Sequence, residues 1–112
     1  MNLTPQDLEE FTGTSQYFQY KRFKFTDGVK YFVDTAGAYW FLDIIWTEIL
    51  RFESEQEFMA IQLDVADSQA TIKVHDGNNN YFFEKNIPFT DCPTANWLFY
   101  LTNNVMLVPS EY

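Results

Sequence analysis

Apolar positions change their period along this chain, and the change divides it into a helical first half and an extended second half. Val29, Phe32, Val33 and Ala36 recur at i, i+3, i+4 and i+7, which predicts a helix opening at Thr26-Asp27-Gly28 and stopping at Gly37. From Ala38 to Phe52 a denser run follows, too long for a strand, with Tyr39, Trp40, Phe41, Leu42, Ile44, Ile45, Trp46, Ile49 and Leu50. It predicts a second, largely buried helix. At about 100° per residue Phe41, Leu42, Ile45, Ile49 and Phe52 gather on one side of it, while Asp43, Thr47, Glu48 and Arg51 mark the other. Trp40 and Ile44 fall inside the polar sector, and Trp46, beside the apolar face, is expected to be mostly buried. Ahead of both helices, Thr4 is a capping residue, Pro5 suits the first helical position and Asp7 favours the positive helix end. A short helix from Pro5 to Phe11, stopped near Gly13, follows from them.

The second half reads with a period of two. Phe58 to Val65, Ala70 to His75 and Tyr81 to Ile87 are predicted strands, parted by turn residues at Ala66-Asp67-Ser68 and at Asp76-Gly77-Asn78-Asn79-Asn80. Trp97 to Leu101 and Val105 to Val108 complete the set around Asn103-Asn104, a turn pair because Asn tolerates positive φ. In the first half only Arg22 to Phe25 alternates cleanly enough to be extended. The expected fold is therefore α+β: N-terminal helices packed on a C-terminal antiparallel meander of four to five strands. With 112 residues the chain suits a single domain, 1–112.

Composition narrows the function. A hydrophobic fraction of 46% and an aromatic fraction of 20% exclude extended disorder. A formal charge of −9, with only seven Lys and Arg, argues against direct nucleic-acid binding, which draws its affinity from basic side chains that displace counterions. Such a surface keeps an aromatic-rich protein soluble, or meets a protein partner with a basic surface. The lone Cys92 excludes an internal disulfide and fits a reducing compartment. The first ten residues show no secretory signal and no window is apolar enough for a membrane span, so a cytoplasmic protein is expected.

Four stretches stand out as motifs: Phe11-Thr12-Gly13-Thr14, Thr26-Asp27-Gly28-Val29-Lys30-Tyr31, Ala36-Gly37-Ala38-Tyr39-Trp40 with Asp43, and the terminal Pro109-Ser110-Glu111-Tyr112. Together they resemble a small, uncharacterised bacterial domain family, found in cyanobacteria and other bacteria and sometimes near mobile elements. The resemblance covers most of the chain from Phe11 onward and implies a shared fold. It brings no assigned activity and therefore no catalytic residue.

Candidate chemistry is sparse. His75 with Asp76 is the only pairing suited to proton transfer, but no motif sets a Ser or Cys nucleophile beside it, and a histidine ending a strand is the simpler reading. One His and one Cys cannot make a zinc site, Asp76 to Asn80 lacks the closing Glu of a calcium loop, and no cofactor motif is present. The only basic patch is the aromatic segment Tyr17 to Phe25, with Lys21, Arg22 and Lys24; it reads as an amphipathic strand. The leading expectation is a non-enzymatic acidic protein-binding domain, in its narrowest form a phage or mobile-element inhibitor imitating nucleic-acid phosphates. Its expected carriers are Glu53, Glu55, Glu57 and Asp64, with Trp40 as an apolar anchor. The alternative is a small-molecule binding module or enzyme with an aromatic pocket between sheet and helices, built from Tyr39, Asp43, Trp46 and His75. A homodimer formed for stability is the third reading.

Overall fold

Leu63 sits opposite both Trp97 and Ile72, and Ile61 opposite both Phe99 and Val74; all six side chains are buried, so one face of the sheet is apolar over three neighbouring strands. In this computed structural model, which describes residues 3–112, those strands are β3 (Phe58–Ala66), β4 (Gln69–His75) and β6 (Ala95–Thr102). With β1 (Phe18–Tyr20), β2 (Phe23–Phe25), β5 (Tyr81–Ile87) and β7 (Val105–Leu107) they form a seven-stranded sheet in the order β1-β2-β7-β6-β3-β4-β5. Every pairing is antiparallel except β2 with β7, so the sheet is mixed and the fold is α+β.

The five expected strands are all present, but they do not follow one another as a simple meander. After β5 the chain does not add β6 to the open edge; it returns across the sheet and lays β6 beside β3. The crossing segment is held where it passes the β3–β4 turn, because Thr90 N–H donates to the Ser68 carbonyl at 2.9 Å. Trp97 then anchors its far end, donating its indole N–H to the Pro93 carbonyl at 3.0 Å. Two further strands precede the two longer helices: Phe18–Tyr20 pairs with Phe23–Phe25 around Lys21, whose φ of 54° closes the hairpin. The turn at Asp67-Ser68 and the turn at Asn103-Asn104 likewise place both central residues at positive φ, the geometry that matches strand twist.

Helix α1 (Pro5–Leu8) is shorter than the expected Pro5 to Phe11, while α2 (Asp27–Ala36) ends at Gly37 as its pattern predicts, with φ at 63°. Phe32 on α2 is fully buried, its ring 4.8 Å from Trp97 and 4.9 Å from Phe99. The second long helix begins as α3 (Tyr39–Ile44), passes through a π-helical stretch at Ile45–Ile49 and ends as a 3₁₀ turn at Leu50–Ser54. Phe41, Leu42, Ile45 and Ile49 are buried and Asp43, Thr47 and Arg51 exposed, so the expected faces hold. Leu50 N–H reaches the Ile45 carbonyl, a five-residue span that inserts one residue into the turn and alters the phase beyond it. Trp46, expected to be mostly buried, is instead half-buried at this insertion.

Three of the four stretches that carry the family resemblance, those holding Thr14, Thr26 to Gly28 and Glu111, meet at the start of α2. Glu111 accepts from the Thr26 hydroxyl at 2.5 Å, from Gly28 N–H at 3.1 Å and from Val108 N–H at 3.0 Å, placing a carboxylate at the positive end of the helix. Asp27, the first residue of α2, accepts from Ser15 N–H and the Ser15 hydroxyl, each at 2.9 Å, while its own N–H donates to Thr14 Oγ1 at 3.0 Å. The segment before β1 and the C-terminal segment are thereby tied to one helix terminus.

Candidate functional site

The three glutamates Glu53, Glu55 and Glu57 are exposed, Glu53 within the 3₁₀ turn and the other two between it and β3. Only Lys30–Asp34 and Lys85–Glu48 are ion-paired among the described residues, so these glutamates meet no basic partner. Glu53 and Glu57 line one shallow depression with Thr102, Asn103 and Asn104. Asp64 does not join them. It lies seven residues farther along β3, about 23 Å in an extended strand, in a row of polar side chains formed by Asn96, Thr71 and Asn86. Trp40 occupies a third place, half-buried in a depression with Phe89 and Cys92, where the crossing segment passes the junction of α2 and α3. Phe89 is 69% exposed and gives that depression an apolar rim that periodicity alone did not reveal.

The four residues of the expected aromatic pocket are also separated. Tyr39 donates its hydroxyl to Asp34 at 2.5 Å, joining the start of α3 to the last turn of α2, and Lys30 meets the other Asp34 oxygen at 2.5 Å. Asp43 is exposed and accepts from the Tyr20 hydroxyl; that bond pushes the Tyr20 pKa up to about 12. His75 lies on the opposite face of the sheet, its ring 4.9 Å from Tyr81 and its Nδ1 accepting from Gly77 N–H at 3.0 Å. The space between sheet and helices, where such a pocket would lie, is filled by Phe32, Phe41, Trp97 and Phe99.

Trp46 belongs to a different arrangement. A recess of about 480 Å³ opens beside it, lined by Arg22, Trp46, Leu50, Arg51, Glu53 and Asn104. Arg22 comes from the β1–β2 hairpin, Arg51 from the 3₁₀ turn and Asn104 from the β6–β7 turn; Lys24 N–H, donating to the Asn104 carbonyl at 2.8 Å, fastens the first of these segments to the last. The Arg22 guanidinium lies 5.8 Å from the Trp46 ring and the Arg51 guanidinium 4.9 Å from the Phe52 ring, within cation–π range. The lone thiol is shut in instead: burial pushes Cys92 up to about 11, so it stays protonated at neutral pH. Cys92 is accordingly expected to resist iodoacetamide in the folded chain and to react only after denaturation, which mass measurement of the alkylated protein reads directly.

Among the described residues no three His, Cys, Asp or Glu side chains gather as a metal site requires, and no helix is long and apolar enough to cross a membrane. No curated protein and no solved structure matches the chain. One family does, over residues 2–112: the chain belongs to DUF6876, a family of unknown function.

Proposed function

We propose that this domain is a non-enzymatic protein-binding module that engages a partner with a basic surface through its carboxylates. The observation that supports the reading is the exposed run Glu53, Glu55 and Glu57, unpaired among the described residues on a chain of net charge −9. Carboxylates left without internal partners keep their charge available to an incoming cation and act at a distance on its approach. Trp40 lies thirteen residues before Glu53 on the same helical run, about 20 Å away, a separation that one interface of ordinary size spans. Its depression with Phe89 supplies the apolar contact that a charged rim lacks.

The test begins with capture from the native host and identification of the retained protein, followed by association kinetics against salt. Association is expected to slow steeply as salt rises, and the combined change Glu53→Gln, Glu55→Gln and Glu57→Gln is expected to slow it about tenfold while leaving dissociation nearly unchanged. Affinity that does not vary with salt would replace this reading with an apolar interface. An inhibitor that imitates nucleic-acid phosphates is the narrower form, and it predicts that a DNA duplex displaces the domain from its partner.

A further inference from the structure

We propose that the recess between Arg22 and Arg51 binds a phosphate monoester on a small molecule. Its cations are available. Of the seven Lys and Arg, Lys30 and Lys85 are spent on Asp34 and Glu48, whereas Arg22 and Arg51 have no carboxylate partner among the described residues. Each guanidinium is held by an aromatic ring. Neither guanidinium is in an ion pair among the described residues, so both keep N–H donors for a ligand.

The geometry favours phosphate over carboxylate. The arginines reach the recess from two different segments, and Asn104 adds an amide from a third. A carboxylate offers two oxygens in one plane, which suits a single fork, whereas a phosphate monoester presents three terminal oxygens in three directions. Glu53 also lines the recess; its charge opposes the phosphate that the two arginines attract, and its oxygens can accept from a hydroxyl or amino group on the body of the ligand. A volume of about 480 Å³ lies within the range of small-molecule sites. The net charge of the whole chain does not oppose this, because exposed charges more than about 8 Å away are largely screened at physiological salt.

The recess adjoins the π-helical stretch through Trp46 and Leu50. Ile45 and Ile49 of that stretch are buried, whereas Trp46 between them is half-buried, with the Arg22 guanidinium 5.8 Å from its ring. Such insertions recur at functional sites, and this one borders the only recess lined by two arginines among those described.

The experiment titrates the folded chain with adenosine monophosphate, inorganic phosphate, adenosine and succinate, following the Trp46 indole N–H and the arginine side-chain resonances by NMR. Adenosine monophosphate is expected to give saturable shifts at Trp46, Arg22 and Arg51, inorganic phosphate to shift the same signals more weakly, and adenosine none. Arg22→Gln and Arg51→Gln should each weaken binding about ten- to a hundredfold. Both side chains are exposed, so the variants should keep the wild-type spectrum elsewhere. Arg22→Lys, which keeps the charge and loses the fork, should also bind more weakly. No saturable shift at about 10 mM adenosine monophosphate, enough to fill roughly nine-tenths of a site with a Kd of 1 mM, would overturn the proposal. So would tighter binding of succinate than of phosphate, or unchanged binding by both glutamine variants. The titration needs no protein partner, so its failure leaves the carboxylate reading above untouched.

Discussion

Phe32→Ala is expected to lower the unfolding free energy by about 3–5 kcal/mol, the loss typical of truncating a fully buried aromatic. Phe32 has no exposed surface and stands where α2 meets the sheet, with Trp97, Phe99 and Phe41 around it at ring separations of 4.8, 4.9 and 6.4 Å. Removing the ring forfeits its transfer free energy and leaves a cavity walled by three rigid aromatics, which cannot collapse into it as aliphatic side chains would. Ile45→Ala and Ile49→Ala, also fully buried, should cost about 2–5 kcal/mol each. Tyr17, 58% exposed, sets the scale for a surface site, and its truncation should fall within about 0.5 kcal/mol of zero. Urea unfolding at constant m-value measures all four. A loss below about 1 kcal/mol for Phe32→Ala would mean that α2 is not seated on Trp97 and Phe99.

The positions behind that prediction are legible in the sequence, since the spacing of Val29, Phe32, Val33 and Ala36 specifies one buried stripe whatever lies opposite it. The same holds for the alternation that makes β3, β4 and β6 apolar on one face. Pairing order is a different matter. Nothing in Tyr81–Ile87 says that the next strand will avoid it, because the choice is made by contacts between the crossing segment and the β3–β4 turn, Thr90 with Ser68, which are remote in sequence. Phe18–Tyr20 was hidden for a similar reason: three residues are too few to show a period, and the strand exists through its hairpin with Phe23–Phe25. The π-helical insertion is invisible to a fixed 100° projection, and Trp46, at the edge of the apolar face on that projection, is half-buried. The candidate sites suffered more. Glu53, Glu55 and Glu57 are neighbours in sequence and so stay together, whereas Asp64, Tyr39, Asp43 and His75 depended on which sheet face or helix phase each received. The recess of Arg22, Arg51 and Asn104 joins three segments separated by some thirty to fifty positions, and only the trace of a basic hairpin pointed toward it.

The junction at the start of α2 gives the second large effect, and it concerns residues with no part in the core. Glu111→Ala should cost about 1.5–3 kcal/mol, because one carboxylate accepts from Thr26, Gly28 and Val108 and its loss strands donors in a partly buried corner. Glu111→Gln separates shape from charge: it retains an acceptor oxygen and loses the favourable interaction with the helix terminus, so it should fall between the wild type and Glu111→Ala. Gly28→Ala should be destabilising by about 1–3 kcal/mol through the same contact from the other side. A Cβ there would lie 2.9 Å from both Glu111 Oε1 and Val108 Cγ2, so the C-terminal segment would have to retreat. If both substitutions act by displacing that segment, the double variant should be little worse than the worse of the two single ones, a coupling that unrelated sites do not show. Acid should weaken the same junction. The Ser15 N–H and hydroxyl hold the Asp27 carboxyl below its ordinary value of 3.8, so the stability it contributes is present above about pH 4 and lost as pH falls through the folded-state pKa. Asp27→Asn should accordingly flatten the acid limb of a stability–pH curve while Glu111→Ala lowers the whole curve, and strictly additive losses in Gly28→Ala with Glu111→Ala would refute the shared mechanism.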